Sequence, residues 1–132
     1  MPLNIRWDTP ENTCIYWDFQ GKWDWEEFMR CDHEAYQWHM TNIDHMIYTI
    51  ADMTHSAGIP HKGAINYFLK SVNNDVPNRA LVAVVSPGRG LISAIEPIMR
   101  RLAPKTMRKY HLVQTIEEAY KLINQHRERD IN

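Results

Sequence analysis

Ala80-Leu-Val-Ala-Val-Val85 is an uninterrupted apolar run, and Ile47-Tyr-Thr-Ile-Ala51 is a second one of similar length. Short apolar runs that are rich in β-branched residues predict strands with both faces buried. Such strands are typical of parallel sheets covered by helices. Pro87-Gly-Arg-Gly90 follows the first run and predicts a turn into a helix. These stretches therefore predict an α/β fold.

The starts of two helices are marked by capping boxes. Asp24-Trp-Glu-Glu27 and Thr115-Ile-Glu-Glu118 each begin with a side chain that can accept the backbone N–H three residues later. The Glu at the fourth position can reach back to the start of the helix. We predict strands over 5–8, 14–19, 46–53, 80–86 and 110–114, and helices over 24–40, 61–72, 91–102 and 115–125.

The order of these elements is β-β-α-β-α-β-α-β-α. It predicts one domain over 1–132, an α/β sandwich with a mostly parallel five-stranded sheet and one antiparallel edge strand. Helices could cover both faces of the sheet or mainly one. Pro97 lies inside the third helix and predicts a kink. The polar segment 126–132 is predicted to fray.

The charge of the 132-residue chain is balanced overall, at −1, but it is unevenly distributed. Residues 1–60 contain 3 basic and 10 acidic residues, a balance of −7, and residues 61–132 contain 12 and 6, a balance of +6. This asymmetry predicts a bipolar surface that orients partners or drives self-association, unless the fold interleaves the two halves.

The sequence predicts a cytoplasmic protein without integral membrane association. No apolar stretch is long enough to span a bilayer, and the first residues lack the pattern of a secretory signal. Cys14 and Cys31 are isolated and belong to no CxxC pair. We therefore expect two reduced, buried thiols.

Three motifs resemble those of a known family. They are a Trp-Glu-Glu-Phe helix start after a strand that ends in glycine (Gly21–Phe28), Asp52 at the close of strand three, and Thr-x-Glu-Glu-Ala at 115–119. With the element order, they resemble the SpoIIAA-like group of bacterial STAS-type domains. That group is related in fold to anti-sigma-factor antagonists and is compared with SEC14-type lipid-binding domains.

The resemblance implies a non-enzymatic regulatory module that contacts an unknown protein partner, and the SEC14 comparison implies a small apolar or lipid-like ligand. Anti-sigma-factor antagonists carry a phosphorylatable serine at the start of helix two. The matching segment here, Pro60-His-Lys-Gly-Ala-Ile65, has no Ser or Thr. Thr54 and Ser56 lie several residues earlier. The kinase-controlled switch is therefore not carried over to this chain.

The carboxyl ends of the predicted strands form a candidate ligand or anion site, because loops and helix N-termini converge there. Glycine amides, one arginine and a helix N-terminus would favour an anion. The alternative is an ordinary strand-to-helix turn. The candidate residues are Asp52, Thr54, His55, Ser56, His61, Ser86, Gly88, Arg89 and Gly90.

Catalysis has little support in the sequence. Asp52, His55 and His61 could transfer protons or bind a metal, but their spacing fits no standard zinc pattern. No nucleophile elbow or Walker motif is present. We predict no metal and no cofactor, and an enzyme that uses these three residues is the weaker alternative. The basic run over 100–109 is interpreted as a solvated helix end and not as a nucleic-acid site.

Two further features leave alternatives open. Asp32 and His39 fall on the apolar face of helix one. They could lie at the edge of that face or be hydrogen-bonded in the core. Alternatively, they could form a polar spot in a pocket beneath the helix. All five tryptophans lie within the first 38 residues and could form a core, a homodimer face or an apolar groove. The groove or self-association candidates are Trp17, Trp23, Trp25 and Trp38.

Overall fold

The computed structural model describes residues 2–88 and 90–131, with side chains for all of them except 130 and 131. The strands are β1 (Leu3–Trp7), β2 (Cys14–Gly21), β3 (Ile47–Ser56), β4 (Arg79–Val85) and β5 (Tyr110–Val113). The helices are α1 (Trp25–Thr41), α2 (Ala64–Asn73), α3 (Leu91–Leu102) and α4 (Ile116–Ile131), with a short 3-10 helix, η1 (Thr106–Lys109).

The five strands form one sheet in the order β1-β2-β3-β4-β5. β1 is antiparallel to β2, and each later neighbour is parallel. The predicted fold class, a mostly parallel five-stranded sheet with one antiparallel edge strand, is therefore confirmed. Strands that follow one another along the chain also lie side by side, as short crossover connections favour.

The helices divide unequally between the two faces of the sheet, which the sequence left open. α1, α2 and α3 cover one face, here called the first face, where the larger core cluster includes Ile15, Trp17 and Ile95. α4 alone covers the other, or second, face, where it packs over β3, β4 and β5. Ala119 and Ile123 of α4 belong to the smaller core cluster on that face.

The two predicted caps form, with one difference. Asp24 Oδ1 accepts the Glu27 N–H at 2.8 Å, and Thr115 Oγ1 accepts the Glu118 N–H at 3.1 Å. Glu118 reaches back to the N–H of Gln114 at 3.2 Å. The Glu27 carboxylate instead accepts the N–H of Leu3 at 3.3 Å. The first capping box is therefore only half formed, and its glutamate ties α1 to β1.

Some element boundaries differ from the prediction, either because a distant strand extends an element or because a local backbone conformation shortens it. β3 continues to Ser56, where it pairs with Gly21 beyond a register shift in β2. α2 begins only at Ala64, after Gly63 adopts a φ of 80°. That left-handed conformation favours glycine and delays the helix.

The predicted frayed tail is instead helical as far as Ile131. His126 Nδ1 shares a hydrogen bond of 2.8 Å with the Tyr48 hydroxyl. The Arg127 guanidinium lies 4.9 Å from the centre of the Tyr48 ring. These contacts hold the last turns of α4 against β3. Asn132, at the end of that segment, lies outside the described residues.

α3 has the bounds that the sequence predicts, and it contains Pro97. Proline removes one helical hydrogen bond and crowds the preceding turn. α3 packs more closely against α2 and η1 than against any strand. Ile95 and Met99 of α3 are buried in the larger core cluster of the first face. Among the described residues, no helix is long and apolar enough to cross a bilayer.

Candidate functional site

A cavity of about 130 Å³ lies between the first face of the sheet and helices α1, α2 and α3. Its sheet wall includes Trp17, Ala51 and Val84, and its helix wall includes Phe28 and Ile92. An engineered apolar cavity of about 150 Å³ in another protein binds benzene. The cavity therefore has room for a molecule of roughly that size.

Small side chains help to leave this space unfilled. Ala35 of α1 and Ala51 of β3 both line the cavity, where a larger residue would project into it. Ala51 and Val84 are only partly buried although they lie on interior strands beneath helices. Their remaining exposure is explained by the cavity that they line.

Aromatic rings give the cavity a rigid wall. Trp17 and Phe28 lie with their ring centroids 5.5 Å apart, and Phe28 meets Phe68 edge-on at 5.4 Å. Edge-to-face contacts of this kind add about 0.5–1.5 kcal/mol beyond the burial of apolar area. This wall joins β2, α1 and α2, so the shape of the cavity is fixed by three elements together.

One end of the cavity is polar. Asp32 of α1 and Ser71 of α2 both line it, and the Ser71 hydroxyl donates to Asp32 Oδ1 at 2.6 Å. Burial raises the pKa of Asp32, while the hydrogen bond from Ser71 and the nearby Arg79 act in the opposite direction. Thr49 and Arg79 complete this end from β3 and β4.

His39 is the most deeply buried polar residue of the cavity wall, at 1% exposure. Its Nδ1 lies 2.8 Å from the backbone oxygen of Ala35. A carbonyl oxygen can only accept, so Nδ1 carries the proton and Nε2 is an unprotonated acceptor. Among the described residues, nothing donates a hydrogen bond to Nε2.

The charge state of His39 agrees with this assignment. Burial lowers the pKa of His39 to about 4, and the nearby Arg79 also lowers it, against a hydrogen bond to Ala35 that raises it. The ring is therefore neutral near pH 7. Asn78 fixes the helix at this point, because its amide donates to the backbone oxygens of His39 at 2.9 Å and Asn42 at 3.1 Å.

The other end of the cavity reaches the surface between α3 and β5. Glu96 and Arg100 of α3 line it there and form an ion pair. Arg100 also donates to the backbone oxygens of Met107 at 3.0 Å and Tyr110 at 2.9 Å. Arg100 is exposed and thus connects α3 with η1 and β5 at the cavity rim.

The residues predicted at the carboxyl edge of the sheet serve mainly local structure. Asp52 points to the second face, where it accepts from the Tyr16 hydroxyl and from the Thr54 N–H at 3.0 Å. Burial favours a higher pKa for Asp52, but the hydrogen bonds from Thr54 and Tyr16 outweigh it and the pKa is lowered. Asp52 is thereby held as a carboxylate acceptor.

Ser56 is also engaged in local structure. Its hydroxyl accepts from Trp23 Nε1 at 2.9 Å and donates to the Gly58 oxygen at 2.8 Å. Thr54, His55 and His61 are exposed. Over residues 2–88 and 90–131, no group of three or more His, Cys, Asp or Glu residues is placed to hold a metal ion.

The remaining edge residues lie between β4 and α3. The Ser86 N–H donates to the Val113 oxygen at 2.9 Å. Gly88 has a φ of 78°, a left-handed conformation, and Gly90 is the N-cap of α3 with no side-chain cap bond. Arg89, which the sequence analysis placed in an anion site, lies outside the described residues. This segment therefore makes a turn, and its anion binding stays a prediction.

The tryptophan candidates are mostly core residues. Trp17, Trp23 and Trp25 are buried, and Trp38 is half-buried and stacks on Trp7 at 5.1 Å. Of the four candidates, Trp17 lines the cavity. Cys14 and Cys31 are free and buried, as expected.

Sequence reasoning identified three residues of the cavity, Trp17, Asp32 and His39, and missed several others. Asp32 and His39 were visible as polar residues on an apolar helix face, and the structure places both in the cavity wall. Ser71, Arg79 and Tyr110 also line it, from three other elements. Nothing local in the sequence marks these three, because their convergence depends on the order of the strands.

Comparison of the chain with protein-family models, curated proteins and solved structures found no significant match. The resemblance to SpoIIAA-like domains therefore stays a prediction. Function has to be inferred from the geometry of the site.

Proposed function

We propose that this protein is a non-enzymatic module that binds a small, largely apolar ligand in the cavity beneath α1, α2 and α3. The observation that carries the proposal is a cavity of about 130 Å³ with mostly apolar walls. The atoms around an empty space lose the dispersion contacts that a filled core would give them. A ligand that fills the space restores these contacts.

The size of the cavity sets the expected affinity. A ligand of about eight non-hydrogen atoms fits the volume, and small ligands gain at most about 1.5 kcal/mol per atom, falling to about 0.3 for larger ones. An intermediate value gives roughly 5–6 kcal/mol of binding free energy, which corresponds to a Kd on the order of 0.1 mM. Probes should therefore be titrated through the millimolar range.

Filling the cavity tests the proposal. Ala51 lines the cavity, so Ala51→Leu places three additional carbons in it. Ala94 is an exposed residue of α3, so Ala94→Leu is the matched control. Toluene at ten times its Kd should stabilise the wild type and Ala94→Leu by about 1.4 kcal/mol, measured as a rise in Tm. It should not stabilise Ala51→Leu.

Two results would contradict the proposal. In one, apolar probes of this size leave the Tm and the amide NMR spectrum of the wild type unchanged. In the other, Ala51→Leu is folded and binds toluene as tightly as the wild type does. Native mass spectrometry of gently purified protein adds a direct search for a retained ligand.

A second candidate is the protein-interaction module that the SpoIIAA-like resemblance implies. The observation that favours it is the part of the second face over β1 and β2, beside the strands that α4 covers. Asn4, Arg6 and Gln20 are exposed there, and the Arg6 guanidinium lies 4.2 Å from the centre of the Tyr16 ring. If copies associate through this surface, Arg6→Glu should dissociate them in native mass spectra. Monomers at all concentrations would exclude self-association.

The predicted cytoplasmic location is part of the same proposal. The free and buried state of Cys14 and Cys31 supports it, because exported proteins commonly pair their cysteines.

A further inference from the structure

A second space lies on the second face of the sheet, beside α4. This space, here called the α4 hollow, has a volume of about 220 Å³ and is bounded by β4, by the junction of η1 and β5, and by α4. The α4 residues that line it are Leu122, Gln125, His126 and Arg129. Their spacing of three and four residues places them on one side of the helix. A ligand between α4 and the edge of the sheet would therefore contact three elements.

The α4 hollow combines an apolar floor with a basic rim. Leu81 of β4 is buried and Leu122 of α4 is half-buried, whereas Arg108 of η1 and Arg129 of α4 are exposed. In the part of the chain that the structure describes, no acidic residue lines this hollow. Every lining residue belongs to residues 61–132, the half of the chain with a charge balance of +6. The composition of the hollow therefore favours an anion that also has an apolar part.

The positive charge of the rim is only partly neutralised. Asp75 accepts from Lys109 Nζ at 2.9 Å and from Arg79 at 3.1 Å, so one carboxylate is shared by two cations. These three side chains together retain one positive charge. Arg108 and Arg129 form no ion pair with any acidic side chain that the structure describes. The rim thus has two unpaired guanidinium groups, on two different elements, beside a third positive centre.

The remaining polar residues of the α4 hollow are hydrogen-bond donors. Burial lowers the pKa of His111, and Arg100 and His126 lower it further, so the His111 ring is neutral near pH 7. A neutral imidazole still donates one N–H hydrogen bond, and the amide of Gln125 donates as well. These groups can complete the hydrogen bonds of an anion that the two arginines hold.

We propose that the α4 hollow binds a phosphomonoester, with the phosphate between Arg108 and Arg129 and the adjoining carbon chain against Leu81 and Leu122. The planar guanidinium group matches two oxygens of a phosphate with two parallel hydrogen bonds. A phosphomonoester carries about −1.5 to −2 charges at pH 7, which two unpaired arginines balance. A carboxylate carries one charge and would leave one arginine unpaired. This site is distinct from the first-face cavity and does not depend on the function proposed for it.

Propyl phosphate and 1-propanol form a matched probe pair, because they share a carbon chain and only the first has a phosphate. Arg108→Glu and Arg129→Glu each reverse one charge of the rim at an exposed position. Arg101→Glu is the matched control, since Arg101 is exposed on α3 and does not line the α4 hollow. Titrations followed by the amide NMR signals of the four proteins give both the Kd and the location of each probe.

We expect propyl phosphate to shift the wild-type amide signals of residues 108–111 and 122–129, and 1-propanol to leave them nearly unchanged. Arg108→Glu and Arg129→Glu should each weaken the binding of propyl phosphate at least tenfold, and Arg101→Glu less than threefold. Butyrate should bind the wild type more weakly than propyl phosphate. Binding should also weaken as the NaCl concentration rises, because salt screens exposed charges. The wild-type measurements do not depend on the folding of a variant.

A phosphomonoester can be a free compound or the headgroup of a lipid, and sedimentation with vesicles distinguishes these sources. The vesicles contain phosphatidylcholine with one fifth phosphatidic acid. If the wild type sediments with them and Arg129→Glu does not, the phosphate that the site binds is a lipid headgroup. If only propyl phosphate binds, the ligand is a free compound.

Several results would overturn this assignment. Propyl phosphate could fail to bind the wild type, or it could shift signals far from the α4 hollow. Its Kd could stay within threefold of the wild-type value in both Arg108→Glu and Arg129→Glu. Tighter binding of butyrate or 1-propanol than of propyl phosphate would show that phosphate is the wrong ligand class. None of these outcomes bears on toluene, so the first-face cavity is tested separately.

Discussion

The two faces of the sheet are covered by helices in different ways. On the second face, a single helix crosses three strands, and Ala119 and Ala83 both lie in its core cluster with 0% exposure. On the first face, three helices share the sheet, and α3 packs against α2 and η1 more than against any strand. The core beneath α4 is filled, and the α4 hollow of about 220 Å³ lies beside this helix, lined by Leu81, Leu122 and His126 among others. Three helices that also pack against one another leave a cavity of about 130 Å³.

The polar groups of the two faces differ in the same way. On the second face, Tyr16 is paired with Asp52, and Tyr48 with His126. On the first face, His39 Nε2 and Trp25 Nε1 are buried without a partner among the described residues. Natural folds satisfy nearly all their buried polar atoms. The polar groups of the face that contains the cavity are therefore less fully satisfied than those of the second face.

Truncating one isoleucine on each face should give the largest contrast. Ile123 of α4 is 2% exposed on the second face, whereas Ile92 of α3 lines the cavity of the first face and is half-buried. We expect Ile123→Ala to lower the free energy of unfolding by about 4 kcal/mol and Ile92→Ala by about 2 kcal/mol. Urea denaturation followed by circular dichroism measures both. Equal losses would mean that the first face is as tightly packed as the second.

The next largest effect should be a loss of stability in acid that depends on His39. Its pKa is about 4 in the folded state, below the value of about 6.5 expected in the unfolded chain. The unfolded chain therefore binds this proton first as the pH falls. The contribution of His39 is constant above about pH 6.5, and stability is lost as the pH falls toward 4. We expect the free energy of unfolding to fall by about 3 kcal/mol between pH 7 and pH 4 because of His39.

The difference between the wild type and His39→Phe isolates this contribution. His111 and Asp52 also have lowered pKa values, so they add acid sensitivity in both proteins. Free energies of unfolding should be compared at pH 7 and pH 4.5. If the two proteins lose the same stability over that interval, His39 is not the buried neutral acceptor described above.

Local signals explain why most of the architecture could be predicted from the sequence. The apolar runs around Ile50 and Val82 and the caps at Asp24 and Thr115 each depend on residues within one element. Gly63 delays the start of α2 by a local effect, but the boundaries of β3 and α4 depend on distant contacts. α4 is longer than predicted because His126 and Arg127 contact Tyr48, 78 positions before His126 in the chain. No pattern within the tail itself indicates that contact.

The site was harder to predict than the fold for the same reason. Helical spacing placed Asp32 and His39 on the buried face of α1, but it could not show that α3 leaves a cavity beneath them. The expected edge site was drawn from residue types and from the convergence of loops at the carboxyl ends of the strands. Ser56 has the right chemistry for a ligand, yet its hydroxyl is used by Trp23 and Gly58. Hydrogen-bond partners far along the chain decide which polar groups remain available.

Enlarging one alanine on each face should give the smallest effect and the most direct test of the comparison. Ala119 lies on the second face with 0% exposure, and Ala51 lines the cavity of the first face. Added methylene groups in a filled core force neighbouring side chains aside and typically cost about 1–3 kcal/mol. We therefore expect Ala119→Leu to lower the free energy of unfolding by about 2 kcal/mol, while Ala51→Leu changes it by less than about 1 kcal/mol because the added carbons occupy empty space. The same urea titrations give both values. If Ala51→Leu lowers the free energy of unfolding as much as Ala119→Leu does, the first face has no space for added carbons. If Ala51→Leu raises the free energy of unfolding, the wild type keeps the cavity at a cost in stability, as a binding site would.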